Sequence, residues 1–210
     1  MSTSQNRILA IYKSRNTILE LLETQGFDTK TQDGFTISDI DHMHTGNQLD
    51  MDFMHTTNGR KAYVKYHLSS KQMRPATLDD IIEDLYTIDE KLTKEDLLII
   101  IVDDEPNDTL ITKLKYLYEH DGIFIVVHNM KRLQYNILNH SLVPKSTILD
   151  DVEIEELKKK YSLKSLFQLP EISRFDPQAL AICMKPGQIC KFERDSATAL
   201  NYDYYRICIQ

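Results

Sequence analysis

The sequence has few of the residues on which several common kinds of functional site depend. Its 210 residues include only 6 glycines, and its longest apolar run spans residues 97–102. That run is far shorter than the ~20 residues that cross a bilayer, so we expect no membrane partner. The N-terminus lacks the apolar stretch of a secretory signal, which predicts an intracellular protein. Because no glycine-rich phosphate-binding motif is present either, the sequence indicates no nucleotide cofactor.

The 3 cysteines, Cys183, Cys190 and Cys208, lie among apolar neighbours near the C-terminus. Their number is odd and they form no Cys-x-x-Cys pair, which argues against both a disulfide framework and a zinc site. We therefore expect buried, reduced thiols that pack as small hydrophobic side chains.

The net charge of −7 arises in the first two thirds of the chain. Residues 1–138 carry 15 Lys+Arg against 22 Asp+Glu, whereas residues 139–210 carry 10 of each. An acidic half gains little from displacing phosphate counterions, which predicts weak DNA binding or none by the chain alone. The best basic candidates for phosphate contacts are Lys113, Lys115, Lys131 and Arg132. The solvated face of a helix would explain these residues equally well.

The first 138 residues show the pattern of an α/β domain. Apolar residues at helical spacing over 8–22, followed by Gly26, predict a helix with a glycine C-cap. Residues 28–47 are polar and predict a loop or a short irregular segment, and strands are predicted at 48–55 and 61–68. Thr77 is the predicted N-cap of a second helix. A buried strand at 97–102, a helix at 109–120 and a strand at 122–128 predict a β-α-β unit with parallel strands.

Further elements are predicted on both sides of residue 138. A short helix is predicted at 130–134 and a strand at 136–140. The composition of the sequence changes near residue 139. Beyond it we predict a charged helix at 150–161, with Val152, Ile154 and Leu157 as its apolar contacts, and strands at 189–194 and 202–209. Leu-Pro at 169–170 and Asp-Pro at 176–177 are predicted turns. The sequence thus predicts two domains, an α/β domain at 1–138 and a small α+β domain at 139–210.

Six short segments of the last 71 residues recur in a fixed order in one protein family. They are the segments at 140–144 (His-Ser-Leu-Val-Pro), 169–172 (Leu-Pro-Glu-Ile), 176–179 (Asp-Pro-Gln-Ala), 184–189 (Met-Lys-Pro-Gly-Gln-Ile), 194–199 (Arg-Asp-Ser-Ala-Thr-Ala) and 202–207 (Tyr-Asp-Tyr-Tyr-Arg-Ile). This series resembles the C-terminal domain that the fifth subunit of eukaryotic RNA polymerases I, II and III shares with its shorter archaeal counterpart. The length and the N-terminal β-α-β half resemble the two-domain eukaryotic form.

The chain departs from the family pattern at several positions. Glu171 follows Leu-Pro where the family often has a basic residue, and Ser146 stands where it often has histidine. The acidic segment 103–108 takes the place of the Thr-Pro-Ser-Ala stretch of the eukaryotic jaw. These departures indicate a divergent member, from a large DNA virus or from a divergent eukaryote.

The resemblance implies a non-catalytic polymerase subunit with neither a catalytic residue nor a metal site. Its C-terminal assembly domain would dock on the largest subunit, and its N-terminal jaw domain would lie near downstream DNA. The implied location is the nucleus for a cellular source, and the virion or a cytoplasmic viral factory for a viral one. The expected subunit-interface residues are Leu142, Val143, Pro144, Leu169, Pro170, Ile172, Asp176, Pro177, Arg194, Tyr204 and Arg206; ordinary core packing is the alternative for each apolar one.

Two other functions are compatible with parts of the sequence. A free-standing interaction adaptor would share the C-terminal domain without joining a polymerase. A metal-dependent nuclease would need two carboxylates and a lysine. Asp50 or Asp52 with Lys65 supplies one acid and the lysine, but Tyr63 occupies the position of the second acid. The nuclease hypothesis is therefore the weaker of the two.

Overall fold

The computed structural model describes residues 3–70, 72–196, 198 and 200–210. The chain has a mixed α/β fold with two four-stranded sheets. It divides into two compact units, Met1–Asn136 and Ile137–Gln210. None of the helices within the described ranges is long and apolar enough to cross a membrane. The jaw role of the first unit and the assembly role of the second remain predictions.

The sheet of the first unit has the order β1-β2-β3-β4. Its strands are β1 (Met51–Met54), β2 (Lys61–His67), β3 (Leu97–Val102) and β4 (Ile125–Asn129). β1 pairs antiparallel with β2, whereas β2, β3 and β4 are mutually parallel. Every residue of β3 is buried, which is typical of a central strand in a parallel sheet. The predicted β-α-β unit is therefore confirmed.

Among the described residues of the first unit, four α-helices accompany this sheet. They are α1 (Thr3–Thr24), α2 (Ile37–Thr45), α3 (Pro75–Ile82) and α4 (Asp108–Tyr116), of which the last two continue in π-helical turns at Glu83–Ile88 and Leu117–Asp121. Beyond the end of α1, Gly26 adopts φ +89°, and a Cβ there would lie 3.0 Å from Nε2 of His55. Both observations explain why glycine ends this helix, as predicted.

Three predictions for the first 140 residues were wrong. The polar segment 28–47 contains α2, which a capping box between Thr36 and Asp39 starts and which buries Ile40. Thr77 is not the N-cap of α3, because Pro75 already occupies the first turn and Arg74 precedes it. The strand predicted at 136–140 is a 3-10 turn, Ile137–Asn139. In each case a local turn or cap preference outweighed the composition of the segment.

The sheet of the second unit has the order β5-β7-β8-β6. Its strands are β5 (Lys145–Ile148), β6 (Glu171–Ser173), β7 (Ile189–Ser196) and β8 (Leu200–Ile209). β7 pairs antiparallel with β5 and β8, and β6 pairs parallel with β8. The helices are α5 (Asp151–Tyr161), capped by Asp150, and α6 (Pro177–Ala181). The sequence predicted α5, β7 and β8, but it did not predict β6 and α6, which begin directly after the predicted turn at 169–170 and within the one at 176–177.

A separate apolar cluster covers each face of the second sheet. One contains Ile172, Ala179, Met184, Cys190, Phe192 and Cys208. The other joins Leu149, Leu157 and Ile189 with the half-buried Ile154, Leu163, Leu166, Leu169 and Tyr205. The predicted apolar contacts of α5 hold for Ile154 and Leu157, whereas Val152 is exposed. Helical spacing alone could not show that Val152 lies on the outer face.

Candidate protein interface

The hairpin of β7 and β8 extends past both of its neighbouring strands. β5 pairs only with residues 190–193 of β7, and β6 pairs only with residues 207–209 of β8. β7 and β8 nevertheless pair with each other as far as Ser196 and Leu200. The outer end of the hairpin, residues 194–196 and 200–202, is therefore a two-stranded ribbon. Two residues of the motif at 194–199, Ala197 and Ala199, lie outside the described residues.

Three predicted interface residues meet on one face of the β7–β8 hairpin. Arg194 and Arg206 each lie with the guanidinium carbon 5.1 Å from the ring centroid of Tyr204. The register explains the contact, because Tyr204 faces Phe192 and is flanked by the pairs of Arg194 with Tyr202 and of Cys190 with Arg206. Opposite residues of an antiparallel pair share a face, so both cations lie beside one ring. We call Arg194, Tyr204 and Arg206 the arginine–tyrosine cluster.

The arginine–tyrosine cluster has unused capacity to bind an acidic partner. Within the described part of the chain, neither arginine lies within salt-bridge distance of a carboxylate. Arg206 donates one hydrogen bond of 2.7 Å to the carbonyl of Glu171, which leaves other guanidinium donors available. Beside the cluster, Tyr202 is 54% and Leu200 is 86% exposed. This combination of cations, aromatic rings and exposed apolar area is typical of protein interfaces.

The segment before β5 supplies a second group of predicted interface residues. Leu142 is 85% exposed, whereas Val143 and Pro144 are half-buried. The side-chain amide of Gln178 donates a 2.7 Å hydrogen bond to the carbonyl of Pro144 and so ties this segment to α6. No sequence pattern indicated this contact, because it joins residues 34 positions apart. Leu142 is consequently an exposed apolar side chain two residues from a tethered backbone carbonyl, and is a suitable contact for a partner.

The remaining predicted interface residues have identifiable roles inside the unit. The carboxylate of Asp176 accepts a hydrogen bond from the backbone N–H of Gln178, and Pro177 occupies the first turn of α6. Ile172 is only 8% exposed and belongs to an apolar cluster, as Leu169 does in part. The carbonyl of Pro170 accepts the N–H of Ile207. For Ile172, core packing is what the structure shows.

Three of the four predicted DNA-proximal cations are paired with acids of this chain. Nζ of Lys113 lies 2.8 Å from Asp79 and Nζ of Lys131 lies 3.3 Å from Asp104. Nε of Arg132 lies 2.7 Å from Glu105. Lys115 also has an interaction within the chain. These pairs reduce the positive potential that could attract a phosphate backbone.

The residues of the nuclease hypothesis come together only in part. Nζ of Lys65 lies 3.3 Å from Asp50, whose carboxylate also accepts hydrogen bonds from the Tyr63 hydroxyl and the Tyr66 N–H. Asp52 lies on β1, faces Tyr63 across the ladder and is exposed. Among the described residues no three His, Cys, Asp or Glu side chains are grouped to hold a metal. Asp50 therefore serves as a hydrogen-bond acceptor for β2 in this structure.

The cysteines of the second unit are consistent with structural roles. Burial raises the pKa of Cys190 to about 12 and that of Cys208 to about 11. Both thiols are buried, as predicted, and Cys183 is half-buried. A thiol with so high a pKa is a poor nucleophile near neutral pH. These two cysteines contribute apolar packing to one of the two clusters of the second sheet.

Comparison with known proteins places the second unit within a defined group. Residues 135–208 match the family described as RNA polymerase Rpb5, C-terminal domain. The DNA-directed RNA polymerase subunit Rpo5 of Thermococcus kodakarensis is 43% identical over 77 residues, which cover 37% of this chain and 93% of that protein. The subunit rpabc1 of RNA polymerases I, II and III from Dictyostelium discoideum is 40% identical over 81 residues, 39% of this chain and 41% of that one.

One relative extends the similarity over the first unit. The DNA-directed RNA polymerase subunit 5-like protein 1 of Arabidopsis thaliana is 25% identical over an alignment of 219 positions, which covers 100% of both chains. The stronger identity thus lies in the unit that carries the arginine–tyrosine cluster, and the weaker identity includes the unit with the parallel sheet.

Proposed function

The chain belongs to the family of the fifth subunit of multisubunit RNA polymerases, and from that premise we propose that it is a non-catalytic subunit of a DNA-directed RNA polymerase. The second unit is the assembly domain that docks on the largest subunit. The first unit is the jaw domain that lies near downstream DNA. In a cell with a nucleus this role implies a nuclear location.

The observation that carries the docking proposal is the arginine–tyrosine cluster, in which Arg194 is exposed and Tyr204 and Arg206 are half-buried. It lies within the segment that matches the family, and it combines two cations without acid partners in the described chain with an aromatic ring. Arginine and tyrosine are among the residue types that most often dominate the energy of protein interfaces. The exposed Leu142 adds apolar area on the same unit.

The proposed jaw role relies on the partner subunits to hold DNA near the first unit. The ion pairs of Lys113, Lys131 and Arg132 reduce the attraction of these three cations for phosphate. In an assembled polymerase the local concentration of DNA is high, so a weak contact suffices. The proposal therefore does not require the chain to bind DNA alone.

A capture experiment tests the docking proposal. The full chain, immobilised through a tag, is incubated with the largest polymerase subunit from the same source. We expect Arg194→Glu with Arg206→Glu to weaken capture by about tenfold or more, because the two substitutions replace both cations of the arginine–tyrosine cluster with acids. The control reverses two exposed charges on the first unit, Lys30→Glu with Lys94→Glu, and retains capture. Equal capture by both double variants would contradict the proposed site.

A further inference from the structure

One edge of β8 is open over most of its length. Its first seven residues, 200–206, pair with β7 on one side. On the other side β6 reaches only residues 207–209. No other strand formed by the described residues pairs with β8. The open edge is therefore the outer side of residues 200–206.

The hydrogen-bond pattern shows which backbone groups this edge presents. The backbone N–H of Cys208 points to the β7 side, where it donates to the carbonyl of Gln188. The backbone N–H of Ile207 points to the β6 side, where it donates to the carbonyl of Pro170. In an antiparallel ladder these directions alternate along the strand. Asn201, Asp203 and Tyr205 therefore direct their backbone N–H and C=O groups away from β7. Such a row is a template for a further strand, and natural edges are usually protected against it.

The side chains beside this edge select the chemistry of an added strand. On one face the edge carries Tyr202 and Tyr204, flanked by Arg194 and Arg206 of the arginine–tyrosine cluster. Neither arginine is within salt-bridge distance of an acid among the residues that the structure describes. Acidic or aromatic side chains of an added strand would complement this face.

We propose that an extended, acidic segment of the partner polypeptide adds as a fifth strand beside residues 200–205 of β8. Its backbone pairs with Asn201, Asp203 and Tyr205, and its acidic side chains lie beside Arg194 and Arg206. This is the strand-addition mode of peptide recognition, in which the backbone supplies affinity and alternate side chains supply specificity. The inference rests on the proposed function, because the partner is taken to be a polymerase subunit.

Proline substitutions test the open edge without disturbing the hairpin. Asp203→Pro removes one N–H that points outward and keeps every bond between β7 and β8, since proline is tolerated on an edge. Asp203→Ala is the matched control: both substitutions remove the side chain that accepts the 3.5 Å hydrogen bond from the Tyr205 hydroxyl, but alanine keeps the N–H. Asp195→Pro is a second control, because Asp195 directs its N–H to the opposite edge of the hairpin, beyond the end of β5.

The measurement is capture of the largest polymerase subunit by the full chain and its three variants. Asp203→Pro is expected to weaken capture by about tenfold or more, because a buried partner carbonyl loses its donor. Asp203→Ala and Asp195→Pro are expected to remain within about threefold of wild type. Equal capture by Asp203→Pro and wild type would overturn strand addition while leaving docking intact. No capture by wild type would instead overturn the proposed function.

Hydrogen exchange gives a readout that does not depend on the variants. In the complex, the amide of Asp203 is expected to exchange at least about tenfold more slowly than in the chain alone. If the complex forms and the exchange rate of the Asp203 amide does not change, the proposal is overturned. This test uses the wild-type chain, so it holds even if Asp203→Pro fails to fold. If Asp203→Pro abolishes self-association and leaves subunit capture unchanged, a second copy of the chain occupies the edge. That result would also overturn the proposal that a segment of the partner does.

Discussion

The guanidinium of Arg194 lies 5.1 Å from the ring of Tyr204, which is on the opposite strand of the β7–β8 hairpin and two residue pairs along the ladder. Arg206 lies at the same distance from that ring. Tyrosine therefore fixes two long, flexible cations that would otherwise lose much side-chain entropy on binding a partner. This preorganisation connects the sequence motifs at 194–199 and 202–207 with the docking role that we propose.

The tyrosine ring is expected to matter more than its hydroxyl. Tyr204→Ala removes two cation–π contacts of about 0.5–1 kcal/mol each and frees both arginines, which should weaken capture of the largest subunit roughly tenfold. Tyr204→Phe keeps the ring and should remain within about twofold of wild type. A titration of the immobilised full chain measures both. A phenylalanine variant as weak as the alanine variant would show that the hydroxyl makes the contact.

Asp176 is expected to stabilise the second unit as the N-cap of α6. Its carboxylate accepts a 2.9 Å hydrogen bond from the N–H of Gln178. Asp176→Ala should lower the free energy of unfolding by about 1 kcal/mol, whereas Asp176→Asn, which retains an acceptor, should lose only a few tenths. Urea unfolding followed by circular dichroism provides the comparison. Alanine and asparagine variants of equal stability would contradict the capping role.

His128 should make the stability of the first unit depend on pH. The side chain is 5% exposed in β4, and burial together with the charge of Arg132 lowers its pKa from 6.5 to about 4. Since the unfolded chain binds the proton more tightly, this contribution to stability is complete above pH 6.5 and is lost as the pH falls towards 4. Its full size is on the order of 3 kcal/mol.

The test of this pH dependence is urea unfolding at pH 7 and pH 4.5. His128→Leu should reduce the difference in unfolding free energy between the two pH values. The matched control His42→Leu changes an exposed histidine of α2 and should leave that difference as in wild type. The same difference in the His128 variant as in wild type would mean that another group titrates in this range.

DNA binding should increase when the acid partners of the basic residues are removed. Asp104→Asn with Glu105→Gln releases Lys131 and Arg132 from ion pairs of 3.3 and 2.7 Å. We expect a several-fold gain in affinity for duplex DNA at low salt and a steeper dependence on salt concentration. Fluorescence anisotropy with a labelled duplex measures both quantities.

The control for the DNA experiment changes the net charge by the same amount elsewhere. Glu23→Gln with Asp41→Asn neutralises two exposed acids that have no ion pair among the described residues. An equal gain in both double variants would attribute the effect to net charge alone. The release of Lys131 and Arg132 would then have no specific role.

The sequence predicted elements well where the apolar pattern was strong. The run at 97–102 coincides with β3, Leu97–Val102, because a strand buried on both faces needs an unbroken apolar run. Prediction failed where a local cap determined the structure: Thr36 and Asp39 start α2 within a segment whose composition is that of a loop. A proline at 177 suggested a turn, yet proline in the first turn of α6 is favourable.

The candidate site was predictable as a set of residues but not as an arrangement. The ordered motifs identified Arg194, Tyr204 and Arg206, whereas their mutual stacking depends on the register of β7 and β8, which composition does not determine. The contact between Gln178 and Pro144 and the open edge of β8 depend on long-range pairing and were not predicted. Apolar patterning could not separate the buried Ile172 from the exposed Leu142 either.

Purification of the tagged full chain from its source tests the proposed polymerase role most directly. The polymerase subunits that remain bound after a salt wash are identified and quantified by mass spectrometry. We predict that the largest subunit and the other polymerase subunits are recovered in a constant ratio of about one to one with this chain. Recovery of other proteins without polymerase subunits would contradict the polymerase role and would favour a free-standing adaptor.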